Sequence, residues 1–466
     1  MITIELCGAT GEVTGSGYLV HTGKARVLVD FGIFQDGEQA RERSRQLGPV
    51  VPKQLNAVLL THAHIDHSGR LPLLVAGGYN GRLYATPATL QLAHLLLDDM
   101  ARIEKEDLKR INRQRRRSGQ TELAPLFRQA HVEHLMRRGQ PLLLNVAEKV
   151  AEGVEVTAIE AGHILGAASL SLSIRTEVGQ RTVVFSGDLG PNDPPILRQR
   201  DAPDHADLVF LEATYGGRSR PALSETVDKL KSIAEHAADS GGRVVIPAFA
   251  VGRTQTILYF LAEAVREGRL PGDFPIYLDS PMAANATDIT HKHSELFDPE
   301  TRALFRSGRL QQDLSGVRVI ESVAESMSLN ENDQPCIILS AAGMCDGGRV
   351  VHHLKHNLWR DNTQVVLVGH MARDSLGRRL LARPEQIEIL GEAIAVKAQI
   401  HHLEGFSAHA DHDELLEWLA PMAASRPRVV LTHGEDDARQ ALAGSIRSRF
   451  DIEAEIPARG DRITLE

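Results

Sequence analysis

Short apolar runs broken by turn residues open the chain. "MITIELCG", "GYLVHTG", "ARVLVDFG" and "NAVLLTH" have the pattern of strands rather than helices. From about 88 to 140 the period lengthens to that of a helix, in "LQLAHLLLDDM" and the basic stretch behind it. Strands return in "VEVTAIEAGH", "ASLSLSIRT", "RTVVFSGD" and "ADLVFLEATYG". After Tyr215 the texture changes. Helical patterns such as "SETVDKLKSIAEHAADSG" and "GRTQTILYFLAEAVREG" alternate with buried-strand runs such as "RVVIPAF", "FPIYLDS", "PCIILSAAGM" and "TQVVLVGH". That alternation predicts a parallel sheet covered by helices. Near 395 a strand ("AVKAQIHHL") and a helix ("DHDELLEWLA") follow, and "RVVLTHGE" closes the pattern.

Chemistry-bearing residues sit where these runs end. "LLTHAHIDHSGRLP" packs His62, His64, Asp66 and His67 into six positions directly after an apolar strand. In an extended segment His62 and His64 point the same way, and a turn into a helix swings Asp66 and His67 to a neighbouring position. One stretch can therefore seed two adjacent metal sites. His163 in "AGHILGAAS" can complete the first and His433 in "LTHGE" the second, with Asp188 in "FSGDLG" bridging both. Glu212 ends another such run. Imidazole and carboxylate without thiolate suit Zn²⁺, with Mn²⁺ as the alternative ion. The histidines of "HHLKH" and His401 and His402 are read as structural.

Composition narrows the field. The chain of 466 residues, 42% hydrophobic and 24% charged, has room for one large domain with an insertion or for two to three ordinary ones. No run approaches the about 18 apolar residues of a membrane span, so a cytoplasmic protein is expected. Cys7, Cys336 and Cys345 are too few and too scattered for a disulfide framework or a four-thiolate site. The net charge of −9 argues against nonspecific coating of nucleic acid but leaves room for a local basic groove. One basic segment, "KRINRQRRRSGQ" at 109–120, is either a solvated helix face or an electrostatic contact for phosphates.

"THAHIDHSGRLP", "AGHILGAAS" and "FSGDLG" resemble the successive metal motifs of the metallo-β-lactamase superfamily. "LEATYG" (Glu212), "FSAHAD" (His409) and "LTHGE" (His433) resemble the three further motifs of its β-CASP nucleases. These include the short bacterial and archaeal relatives of the pre-mRNA 3′-end cleavage endonuclease. "IPAFAVGRTQ", "LSAAGMCDGGR" and "GHMARDSLGRRL" are also similar to this group. The resemblance runs nearly end to end with the motifs in order. It implies an α/β architecture: an αββα sandwich in two segments, 1–214 and 395–466, with a β-CASP domain inserted at 215–394. Asp30 in "VLVDFG" matches the first lactamase motif and is expected to orient a ligand.

The resemblance also implies a zinc-dependent ribonuclease acting on single-stranded RNA through a two-metal hydroxide mechanism, with Asp66 among the catalytic residues. His409 would protonate the leaving 3′ oxygen, held charged by Glu212. RNA would lie between the two domains. Arg253, Ser340 to Gly343, Arg349, Ser375 and Arg378 are the expected phosphate contacts, because Arg binds phosphate bidentately and small residues at a helix start expose backbone N–H groups. Aromatics make up only 4% of the chain, so extensive base stacking is not expected and sequence preference is expected to be weak. Single-stranded RNA is the expected partner, no membrane is expected, and a homodimer stays open. The rival readings are a lactamase-fold hydrolase of a small ester or thioester and a non-catalytic RNA-binding scaffold.

Overall fold

Ile2, Ile4 and Leu6 are buried while Thr3 and Glu5 are half-buried, so the first apolar alternation is a strand packed on one face. In the computed structural model, which describes residues 1–35, 39–369, 371–372 and 374–466, the chain divides into two units. The first comprises Met1–Pro194, Arg198–Ser219 and His409–Glu466, and the second Pro195–Leu197 and Arg220–Ala408. His370 and Arg373 of the "GHMARDSLGRRL" motif lie outside the described residues.

The first unit holds two seven-stranded sheets. One runs in the order Arg462–Leu465, Ile2–Leu6, Tyr18–His21, Arg26–Val29, Ala57–Leu59, Arg82–Ala85, Gly139–Pro141. The other runs Ala454–Glu455, Arg428–Thr432, Leu208–Glu212, Gly179–Phe185, Ala168–Thr176, Val154–Glu160, Ala147–Ala151. Ile4, Val20 and Val29 of the first sheet and Val156, Leu170, Phe185 and Phe210 of the second share one apolar core, so the sheets face each other. Tyr18 closes that core, its ring 5.0 Å from Phe185, and its hydroxyl bonds Thr432 Oγ1 at 2.8 Å. Helices Leu71–Ala76, Pro87–Arg117 and Gln129–Met136 accompany the first sheet, and His412–Ala423 and Asp436–Phe450 the second. This is the four-layer sandwich that the motifs imply.

The second unit is built on a six-stranded parallel sheet in the order Val317–Val319, Ile276–Asp279, Cys336–Ser340, Arg243–Pro247, Thr363–Val368, Gln399–Leu403. Its central strands are buried along their whole length, which is why they read as continuous apolar runs. The strand Gln399–Leu403 pairs in parallel with Thr363–Val368. It therefore belongs to the inserted unit, and the expected boundary at 394/395 moves to 408/409. Strand partnership is a long-range property that local pattern does not carry. The earlier boundary likewise moves from 214/215 to 219/220.

Candidate active site

Every expected metal ligand lies within the first unit, at a strand end, in the loop behind one or, for Asp66 and His67, in the short helix that follows. The strand Ala57–Leu59 delivers His62 and His64, and the short helix Ile65–Ser68 turns Asp66 and His67 to the side. His163 follows Val154–Glu160, Asp188 follows Gly179–Phe185 and His433 follows Arg428–Thr432. The loops crowd together through glycines: a Cβ on Gly32 would stand 1.5 Å from the Asp66 carbonyl oxygen, and one on Gly190 would stand 1.9 Å from that of Gly162. Asp30 (φ 54°) and His433 (φ 51°) hold left-handed backbone, which costs a non-glycine residue about 1–3 kcal/mol and recurs where a site needs it.

Three groups of close donors result, two of them the expected ligand sets and the third Asp188, Glu212 and His409. In the first, His64 Nδ1 lies 3.1 Å from His62 Nε2 and 3.2 Å from His163 Nε2. Asp188 Oδ2 lies 3.5 Å from His62 Nε2 and 3.6 Å from His163 Nε2. In the second, His67 Nε2 lies 3.2 Å from His433 Nε2, which is 3.5 Å from Asp66 Oδ2. Asp188 Oδ1 reaches this set, 3.2 Å from His67 Nε2, yet it is buried without a hydrogen-bond partner among the described residues.

A tetrahedron with bonds of about 2.05 Å has edges of roughly 3.3 Å, close to these separations. Converging nitrogen lone pairs and an orphaned carboxylate oxygen fit a cation at each set. Hydrogen bonds behind the rings fix which nitrogen faces inward. His67 Nδ1 donates to Asp30 Oδ2 at 2.8 Å, while Asp30 Oδ1 accepts the Thr61 N–H and Asp30 Oδ2 the Thr61 hydroxyl, both at 2.8 Å. Thr61 Oγ1 in turn faces His62 Nδ1 at 3.1 Å, and Thr214 Oγ1 faces His433 Nδ1 at 3.0 Å. In each case Nε2 is left as the ligand atom. Asp30 was expected in this role. Thr61 and Thr214 were missed, although "LTHAH" and "LEATYG" carry them in plain view.

The electrostatics ask for positive charge. Burial would raise the Asp66 carboxyl, but His433 and His67 hold it down at about 2. Burial would also disfavour the His67 imidazolium, yet Asp188 and Asp30 push its pKa well above the usual histidine range. His62 is driven well below that range by burial and by its neighbour His67.

Glu212 and His409 stand beside this cluster. His409 Nδ1 is 3.2 Å from Glu212 Oε1 and 3.3 Å from Oε2, and its Nε2 is 3.9 Å from Asp188 Oδ2. Glu212 Oε1 also accepts the Leu189 N–H at 2.7 Å and Oε2 the Thr214 N–H at 3.3 Å, so its oxygens are already engaged. Burial alone would lower the His409 pKa, but the adjacent Glu212 carboxylate outweighs it and holds the imidazolium up at about 9.

The expected phosphate contacts all lie in the second unit. Arg349 spends its guanidinium internally: Nη1 donates to Asp279 Oδ1 at 2.6 Å and to the Ile320 carbonyl, and Nη2 to the Glu321 carbonyl. Its expected place on phosphate gives way to a structural one. Ser340 is buried and donates to the Asp279 carbonyl at 3.1 Å. Ser340 to Gly343 do not start a helix, since the following helix runs Arg349–Asn357. Ser375 caps Leu376–Leu381, accepting the Arg378 N–H at 3.1 Å, and Arg378 is exposed. Arg253 begins a helix and packs its guanidinium over Gly369. Phe249, 43% exposed and beside Gly343, is an aromatic that composition did not single out.

Known proteins resemble the whole chain. The metallo-beta-lactamase superfamily profile matches residues 10–248, the Beta-Casp domain residues 254–380, and a Zn-dependent metallo-hydrolase RNA specificity domain residues 393–457. Ribonuclease TTHA0252 of Thermus thermophilus is 40% identical over 436 residues, covering 93% of this chain and 94% of that one. Transcription termination factor FttA of Methanosarcina mazei is 30% identical over 466 residues, 97% of this chain and 70% of the archaeal one. A crystal structure of a protein of unknown function from Enterococcus faecalis shares the fold over the full length of both chains, with a TM-score of 0.56 at 15% identity.

Proposed function

Because the chain belongs to the β-CASP family of the metallo-β-lactamase superfamily, we propose that it is a zinc-dependent ribonuclease that hydrolyses phosphodiester bonds of single-stranded RNA. The observation that carries this reading is the Glu212–His409 pair: an imidazole outside both ligand sets, with Nδ1 on the Glu212 carboxylate and Nε2 3.9 Å from Asp188 Oδ2. His62, His64, His163 and Asp188 would hold one cation, and Asp66, His67, His433 and the other oxygen of Asp188 a second. Two divalent cations so held would lower the pKa of a water and polarise a phosphoryl oxygen; Zn²⁺ suits the donors best, and Mn²⁺ is the alternative.

The protein's own residues supply the rest. Asp188, buried and held ionised by the surrounding histidines, ties the two sets together. When the P–O3′ bond breaks, His409 Nε2 gives its proton to the departing oxygen while Nδ1–H stays on Glu212. Hydroxyl from water remains on phosphorus, so the products are a 5′-phosphate and a 3′-hydroxyl. A thioester releases a thiolate, whose conjugate thiol has a pKa of about 8.5, and so has less need of this proton donor.

Incubating the metal-loaded protein with end-labelled RNA and with a small ester tests the reading. RNA fragments ending in 3′-hydroxyl, abolished by chelator, are the expected result. Turnover of the ester with intact RNA would refute it.

A further inference from the structure

The helix Pro87–Arg117 carries a feature that the active site does not use. Lys105, Lys109, Arg113 and Arg116 are spaced four, four and three residues apart, so they share one helix face, and all four are exposed. The buried or half-buried residues of the same stretch, Ala101, Leu108, Asn112 and Arg115, lie toward the protein. Residues 109–117 hold six cations and no carboxylate, in a chain of net charge −9. Lys109 pairs with Glu106 at 2.7 Å and Arg116 with Glu122 at 2.8 Å, whereas Lys105 and Arg113 have no carboxylate within 4.0 Å among the described residues.

Two structural explanations fall short. Cations favour a helix C-terminus, but the effect fades within the last turn, and Lys105 and Lys109 lie two or more turns before it. A solvated face would mix signs, as Glu104, Glu106 and Asp107 do around Lys105, whereas residues 109–117 carry one sign only. The segment is also braced. Asn112 Nδ2 donates to the Leu123 carbonyl at 2.9 Å and Asn112 Oδ1 accepts the Leu123 N–H at 2.8 Å. Glu104 Oε2 accepts the Leu126 N–H at 2.7 Å, and Arg115 Nε donates to the Thr121 carbonyl at 2.6 Å.

At its other end the same helix touches the candidate site. Thr86 Oγ1 and Thr89 Oγ1 donate to the Gly166 carbonyl at 2.6 and 2.8 Å, in the loop that carries His163. At 1.5 Å per residue the stripe begins about 27 Å along the helix and runs on for about 17 Å.

We propose that this stripe is a phosphate-binding exosite for single-stranded RNA, holding a part of the strand remote from the bond being cut. It rests on the ribonuclease reading for its partner, and it takes phosphate by charge alone, without reading bases. The exosite lengthens the RNA that binds well and leaves the chemistry of the cut unchanged.

The test is the fourfold variant K105Q/K109Q/R113Q/R116Q in the full chain, since glutamine keeps the helix while removing charge. Binding of a long single-stranded RNA is followed against salt with chelator present, and cleavage of the same RNA and of a dinucleotide with metal present. The expected result is a salt slope flatter by about 2–3, KM for the long RNA raised about tenfold or more with kcat kept, and dinucleotide kinetics unchanged. The lysine–arginine exchange K109R/R113K should behave as the parent. An unchanged slope and KM overturns the exosite, as does a variant that loses only an acidic protein partner. A parent that cuts neither substrate sinks the ribonuclease reading, while the chelated binding series still decides the exosite.

Discussion

His409 Nδ1 lies 3.2 Å from Glu212 Oε1, and that contact decides which nitrogen of the ring faces the cluster of candidate ligands around Asp188. With Nδ1–H committed to a buried carboxylate, Nε2 is the ring nitrogen that would exchange a proton with substrate. Glu212 also sets how firmly that proton is held, because its charge opposes the burial that would strip it. For Glu212→Gln the folded pKa of His409 falls, so the protonated acid disappears at lower pH. The pH–rate profile of RNA cleavage should therefore lose rate on its alkaline side earlier than the parent, with kcat down about 10²-fold or more and metal content unchanged.

His409→Ala should keep both ligand sets and lose the acid. RNA cleavage should fall by about 10²–10⁴-fold. Cleavage of a diester with a p-nitrophenolate leaving group, which needs no proton, should fall far less. Equal losses on the two substrates would show that His409 does something other than protonate.

Asp30 touches no proposed cation, yet it holds His67 Nδ1 and both donors of Thr61. Asp30→Asn should weaken metal binding by about 10–100-fold in a competition with a chromogenic chelator. Thr214→Val should act in the same direction through His433, with a smaller loss.

In the second unit Asp279 is buried and accepts from Ser326 Oγ at 2.5 Å, His353 Nε2 at 2.5 Å and Arg349 Nη1 at 2.6 Å. Asp279→Ala strands a buried imidazole and an arginine, and should cost about 3–5 kcal/mol in denaturant unfolding. Burial would raise the Asp279 carboxyl, but His353, Ser326 and Arg349 hold it below the usual range. Its contribution is thus full above the ordinary carboxylate pKa of about 3.9 and is lost as pH falls through the depressed folded value. Unfolding of the parent followed down to low pH should show that loss, and the variant should not.

Much of this was legible because the ligands are local to strand ends. "THAHIDH" states two half-sites within seven letters, and Asp188 and His433 announce themselves by following buried runs. What escaped is what depends on distant partners. Arg349 reads as a phosphate contact until Asp279, seventy residues earlier, is seen to occupy its guanidinium. Gln399–Leu403 reads as the start of the returning segment until its pairing with Thr363–Val368 is known. Thr61 and Thr214 matter only through the rings that they orient, and a threonine beside a histidine carries no signal of that by itself.

Metal titration of the chelated protein, with bound ions counted and RNA cleavage measured at each step, bears most directly on the central claim. Uptake of two zinc or manganese ions per chain, with cleavage appearing as the pair fills, is the predicted result. RNA cut at full rate by metal-free protein, or a chain that takes up no ion at all, would contradict it.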